Sequence, residues 1–279
     1  MYYSTVRRML RLCALAAISC SLYAVDGVVL IDQNHALAGN ITPGDMPGFP
    51  VTISQPGSYR LAGNLTVPDA NTTAIQITAD NVTIDLNGFS IIGPVVCTSS
   101  PAVCPPAAKG IGIDAESAPG LSGPRAIRVF NGAVRGMGSN GIFITGAGSL
   151  IERVTADSNA GGGLLVAGSA IESTATRNGG FGIFATIVRD CYSTENNGVG
   201  IQLDAMGSVA FGNVSSFNGS HGISAPNATV TGNMMVRNVG FGISATCPSS
   251  IIGNSIIGNQ LGTITSQLPG CVLSNNSTR

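Results

Sequence analysis

Ser169-Ala-Ile-Glu-Ser-Thr-Ala-Thr-Arg-Asn-Gly-Gly-Phe-Gly-Ile-Phe-Ala185 is the stretch whose reading decides the fold. Ile171, Ser173 and Ala175 alternate with Glu172, Thr174 and Thr176, the two-residue period of a strand with one wet face. Arg177-Asn-Gly-Gly180 breaks that strand, since Asn and Gly tolerate the left-handed backbone that a sharp corner needs. Gly182-Ile-Phe-Ala185 opens the next strand. Such a unit has no room for an amphipathic helix of ten or so residues.

The unit repeats on both sides. Gly followed by a mostly apolar residue returns at Gly141, Gly163, Gly182, Gly200, Gly222, Gly242 and Gly262, at intervals of 22, 19, 18, 22, 20 and 20 residues. Four residues before five of these glycines stand Asn159, Asn178, Asn196, Asn218 and Asn238. A fixed period near 20 is the mark of a solenoid. Aligning the units exposes two interior columns. One holds Val154, Ser173, Cys191, Asn213, Asn233 and Asn254, and the other Ala156, Ala175, Ser193, Ser215, Met235 and Ile256. The run Asn213, Asn233, Asn254 is expected to form an internal amide ladder, each side chain bonding its neighbour one strand spacing away, about 4.8 Å.

Gly232-Asn233 through Asn238 to Gly242-Ile243 resembles the repeat of right-handed parallel β-helix proteins of the pectin-lyase-like class, and Asn81-Val-Thr-Ile-Asp-Leu-Asn-Gly-Phe-Ser-Ile-Ile-Gly93 is similar to a first-coil signature of secreted bacterial members. The resemblance covers about residues 75–276 and implies an all-β fold, a single-stranded right-handed parallel β-helix of about 9–11 coils, roughly 45–50 Å long. That class includes lyases, hydrolases, epimerases, metal-delivery proteins and structural modules, so it does not fix an activity. Gly219-Ser-His-Gly222 is similar to the Gly-His-Gly of β-helix polygalacturonases, but their paired aspartates and Arg-Ile-Lys have no counterpart here. The Asp-Pro-His of alginate epimerases and the Arg-x-Pro-x-x-Arg of pectate lyases are missing too. His221 shares its repeat position with Phe181, Val199, Phe241 and Leu261, which reads as a corner-packing side chain.

The 279 residues fit one domain. Charged residues are 10%, far below the roughly 25% of an average soluble domain, and the 38 glycines suit a chain with a turn at every corner. A net charge of −1 and one lysine, Lys109, exclude the basic stripe that nucleic acid requires. Residues 1–24 read as a secretory signal, with Arg7, Arg8 and Arg11 before the apolar stretch Leu12 to Ile18. A rival cut before Cys20 loosely matches a bacterial lipoprotein box, the one route by which a membrane would enter. The expected location is therefore secreted, periplasmic or cell-envelope. Export permits disulfides. Cys97 and Cys104, in a prolyl loop, are expected to pair; Cys247 and Cys271, about one coil apart, could do so; Cys191 falls in an interior column as a buried thiol.

In chain order, 25–60 is expected to be an entry and cap, because a solenoid end exposes an apolar cross-section. Residues 61–279 form the β-helix, with an insertion at 94–124 in which Gly110-Ile-Gly-Ile-Asp114 briefly rejoins the stack. Such an insertion can wall a binding groove.

The densest charge in a charge-poor chain lies on three adjacent units. Arg153, Glu172 and Asp190 share one outward position, with Tyr192 beside them. Asp157, Arg177 and Glu195 lie nearby. Glu172 and Asp190 should be about one strand spacing apart, close enough to serve as acid and base or to share Ca²⁺ with a uronate. Arg153 can fork onto a carboxylate and Tyr192 can stack or donate a proton, which makes Arg153, Glu172, Asp190 and Tyr192 the candidate catalytic group and Asp157, Arg177 and Glu195 candidate substrate contacts. The bland alternative is a solvated face of mutually screening charges. Phe143, Leu165, Phe184, Gln202, Ser224 and Ser244 form a second outward strip, apolar to polar, expected to lie under the insertion. The sequence favours an exported module that binds a polysaccharide or envelope glycan, or serves as a structural surface. Its rival is a lyase, glycosidase or epimerase acting on a uronate-containing glycan.

Overall fold

A computed structural model describes residues 27–116, 122–204, 206–266 and 270–279. The expected signal at 1–24 and the Cys20 box lie outside them. The chain is a right-handed parallel β-helix of about ten coils. Each coil contributes three short strands to three parallel sheets. In one coil, residues 183–185 lie in the first sheet and 187–189 in the second, and Tyr192–Thr194 lies in the third.

Strand alternation places one column of large aliphatic residues inside the first sheet. Ile142, Leu164, Ile183, Ile201, Ile223 and Ile243 stack in register and are fully buried. Each such burial is worth about 1.5–3 kcal/mol. The preceding glycine lets the backbone come close. A Cβ on Gly163 would stand 2.6 Å from the Gly182 carbonyl oxygen and 2.8 Å from Asn178 Nδ2.

The expected entry segment holds a helix, α1 (Gln33–Ala38), together with strands that already belong to the stack. Val29–Ile31 pairs with Gly57–Leu61, which pairs with Val82–Asp85, and Val51–Ile53 pairs with Ile75–Ile77. At this end each of the three sheets is met by a piece of the entry segment. Val29–Ile31 covers the second sheet. Gln33 covers the third, its amide exchanging bonds of 3.2 and 2.8 Å with the carbonyl and N–H of Thr66. Asp45 accepts the Thr52 N–H at 2.7 Å and Thr42 donates to the Thr52 carbonyl at 2.6 Å, closing the first.

The corners differ from the alternation read at 171–176. What looks like one strand is interrupted at Glu172, which has a left-handed backbone (φ 48°), before a new strand at Thr174–Thr176. Two left-handed corners recur in each coil. The first column is Arg153, Glu172, Asp190, Gly212, Gly232 and Gly253; the second is Ser158, Arg177, Glu195, Phe217, Arg237 and Gly258. At 177–178 it is Arg177, not Asn178, that takes the strained backbone.

Asn178 turns inward, into a ladder longer than the expected one. Asn159, Asn178, Asn196, Asn218, Asn238 and Asn259 are joined by Nδ2–H to Oδ1 bonds of 2.9, 2.8, 3.0, 2.9 and 2.9 Å. The expected ladder is also present and reaches one coil further, Asn213 to Asn233 to Asn254 to Asn276, at 2.8, 3.1 and 3.0 Å. Asn213 shows why these amides are tolerated in a core. Its Nδ2 donates a second bond to the Val188 carbonyl, and its Oδ1 accepts the Cys191 N–H, both at 2.9 Å. Above Asn213 the column continues as Cys191, Ser173 and Val154, with the Ser173 N–H on the Cys191 sulfur at 3.4 Å. Cys191 is a free buried thiol, as expected, and burial pushes its pKa up to about 12, which keeps it from ionising.

Candidate functional site

The expected charge cluster divides between the two corners. Arg153, Glu172 and Asp190 stand on the first corner, between the second and third sheets. Tyr192 follows as the first residue of a third-sheet strand and is 58% exposed. Asp157, Arg177 and Glu195 lie at the far end of the third sheet, on or beside the second corner. Arg177 follows Glu172 by five positions, roughly 16 Å of extended chain. The two groups are neighbours across one short strand, not one patch.

On the first corner the charges form a string. Arg128 donates to Glu152 at 2.6 Å, and Glu152 also accepts from Arg153. Arg153 Nε donates to Asn131 Oδ1 at 2.9 Å, and its Nη1 lies 3.9 Å from Glu172. The Arg128 hydrogen bond, seconded by Arg153, holds the Glu152 carboxyl below its ordinary range. Asp190 has Arg189 at 3.5 Å. Its carboxylate leans over bare backbone: a Cβ on Gly212 would come within 2.5 Å of Asp190 Oδ1. The Glu172 and Asp190 side chains are about half exposed. At the second corner Arg177 grips Asp157 through a forked pair, Nε to Oδ1 and Nη2 to Oδ2, both at 3.1 Å.

The insertion lies on the second corner. Cys97 and Cys104 are disulfide-bonded, their sulfurs 3.9 and 3.7 Å from the Asn159 carbonyl oxygen, and the Ala102 N–H donates to the Glu195 carbonyl at 2.9 Å. The cystine loop therefore stands away from Glu172 and Asp190. Cys247 and Cys271 are also bonded. His221 packs at a corner, as its repeat position implies. Nδ1 accepts the Phe241 N–H at 3.0 Å, the two rings are 5.8 Å apart, and burial lowers its pKa.

The outward strip of the first sheet is half-buried from Phe143 through Leu165 and Phe184 to Ser244. Its register adds a residue that sequence reasoning passed over: Asp114 pairs with Phe143 and continues the strip. Burial pushes the Asp114 carboxyl up to about 6, outweighing a hydrogen bond from the Glu116 N–H, and the Glu116 charge adds to the rise. The signal was available, because Gly112-Ile113-Asp114 repeats the phrase Gly141-Ile142-Phe143.

Ca²⁺ takes six to eight oxygen ligands. Glu172 and Asp190 supply two carboxylates, and among the described residues no three His, Cys, Asp or Glu side chains converge on one point. The residues present do not by themselves make a calcium cage.

With this geometry in view, residues 140–278 match the family described as the right handed beta helix region. The chain is thus a right-handed parallel β-helix repeat protein. No curated protein matches it. Among solved structures it is similar to the Dettilon tailspike protein (16% identity, TM-score 0.51), covering 81% of this chain and 57% of the tailspike chain, so it spans little more than half that protein's length. It is also similar to a mutant of the periplasmic alginate epimerase AlgG, at 13% identity and TM-score 0.52, covering 90% of this chain and 84% of the other. At such identities the likeness is one of fold.

Proposed function

We propose that this protein is an exported β-helix module that binds polysaccharide along its first corner. Arg153, Glu172, Asp190 and Tyr192 form the central contacts, and Asp157, Arg177 and Glu195 flank them. One observation carries the reading. Three successive coils place charged, solvent-reaching side chains at left-handed positions (φ 52°, 48° and 53°), where the next three coils use glycine. A left-handed backbone costs a side-chain-bearing residue about 1–2 kcal/mol, and strain of this kind gathers at functional positions. The side chains suit a glycan: Tyr192 offers a ring to a sugar face, both acids accept from hydroxyls, and Arg153, its Nε and Nη1 held by Asn131 and Glu152, sets a positive charge beside them. Two disulfides support an oxidising compartment, secreted or periplasmic. The solved folds named above include a tailspike and an alginate epimerase, which adds to the support for a glycan ligand.

Binding of the mature protein to pectin, alginate and neutral glycans, with and without Ca²⁺, tests this. Glu172→Gln and Asp190→Asn should each weaken binding about tenfold, the value of one charge-assisted hydrogen bond. Binding untouched by both would remove the first corner as the site.

Asp114 favours a second reading, in which the protein cleaves or epimerises a uronate glycan. A carboxyl raised to about 6 beside an apolar strip can give a proton below that pH and take one above it. Turnover lost in Glu172→Gln or Asp190→Asn would put the chemistry on the first corner. Turnover lost only in Asp114→Asn would put it on the first sheet, and binding without turnover supports the module.

A further inference from the structure

A separate groove opens where the tip of the cystine loop meets the second corner. Ser100 and Pro101 form one wall; Phe217, Arg237, Val239 and Gln260 line the rest, around a volume of about 390 Å³. That lies within the range of small-ligand sites, about 300–1,000 Å³. Two features mark it as more than a crevice. Phe217 takes a left-handed backbone (φ 55°), a strained choice for a bulky residue, and this position holds its ring at the surface, 40% exposed. Arg237, one coil on and also left-handed (φ 51°), sets its guanidinium 6.0 Å from the centre of that ring. Among the described residues Arg237 makes no ion pair, whereas Arg177 in the same column is committed to Asp157. The next residue in the column is Gly258, which leaves the end of the row open.

From this arrangement we infer that the groove is a binding subsite for an acidic sugar, a hexuronate unit of a longer chain. The C–H face of a pyranose ring packs on Phe217 with Pro101 opposite. The sugar carboxylate takes the two-pronged bond that Arg237 has free, and hydroxyls meet the Ser100 hydroxyl and the Gln260 amide. Arg237 is the one charged side chain in the lining, so a neutral sugar gains the stacking and loses the ion pair. The wall is built by the insertion, which the Cys97–Cys104 bond and the Ala102 to Glu195 hydrogen bond clamp to the corner. Reducing that bond should loosen the groove and leave the first corner intact. The inference adds a second contact to the polysaccharide reading and fixes the sign of the ligand's charge.

Titration of the folded, oxidised protein with a purified trigalacturonate, followed by NMR shifts of backbone amides, tests it apart from the first-corner site. Shifts should centre on residues 100–101, 217, 237 and 260. Arg237→Gln should weaken the oligouronate at least tenfold and leave a neutral trisaccharide unchanged; Phe217→Gly, which relaxes the corner, should weaken both. Glu172→Gln should leave these shifts in place. No shifts in the groove at millimolar trigalacturonate, or equal affinity in Arg237→Gln, would overturn the inference. Polymer binding that still responds to Glu172→Gln and Asp190→Asn would keep the first-corner proposal standing.

Discussion

The first corner is built in two ways along its length. At Arg153, Glu172 and Asp190 it carries side chains on a left-handed backbone, and the residues just inside are Val154, Ser173 and Cys191. At Gly212, Gly232 and Gly253 the outside is bare, and the inside is the amide ladder Asn213, Asn233, Asn254. In one half this corner has strain outside and no amide directly behind it; in the other it is relaxed and every amide behind it is bonded, while the longer ladder at the second corner runs through both. The same fold position serves presentation in one half and cohesion in the other.

The largest test of that contrast is Asn233→Leu. It leaves the Asn213 N–H and Nδ2–H without their acceptor, and takes from Asn254 Oδ1 one of its two donors, the backbone N–H of residue 233 remaining. Stranded buried polar groups cost about 1–3 kcal/mol each, so urea unfolding should show a loss of roughly 3 kcal/mol or more. An unchanged midpoint would mean that the amides do not hold this half together. The matching change in the other half is smaller. Ser173→Ala removes one acceptor, that of the Val154 N–H, and should cost about 1 kcal/mol. A loss equal to that of Asn233→Leu would erase the distinction between the halves. Smallest and opposite in sign, Glu172→Gly and Asp190→Gly should each stabilise by about 0.5–1 kcal/mol in thermal melts, by relaxing the corner, while lowering glycan binding. Destabilisation by either would show that the side chain is there for the fold.

The period of Gly and Asn made the solenoid, its columns and one ladder legible in the sequence, because a repeat averages over local ambiguity. The corners were harder to read. The left-handed residue at 172 shifts the alternation by one, so that Ala170 is buried, Ile171 and Glu172 both face outward, and Ser173 and Ala175 are buried. The residue types at 171–176 still read as one continuous strand, which placed Ile171 on the wrong face. For the same reason Asp157, Arg177 and Glu195 seemed to join Glu172 and Asp190, when a whole third-sheet strand lies between. Asn178 misled through its known tolerance of left-handed turns; here a buried amide with four bonding partners outweighs that preference, and Arg177 takes the strain. Asp114 was hidden because the insertion breaks the period, and its burial depends on neighbours that only the register brings together.

The two ladders also set the grain of the molecule. Every link runs the same way, from an N–H and an Nδ2–H on one coil to the Oδ1 of the next, so a coil inserted or removed brings its own donors and its own acceptor. Excising residues 214–233 would seat Asn213 on Asn254 and Asn196 on Asn238 with both columns whole. Length is thus a free variable in this architecture: energy accrues coil by coil through nearest neighbours, and the molecule can grow or shrink by a full turn without redesigning either end.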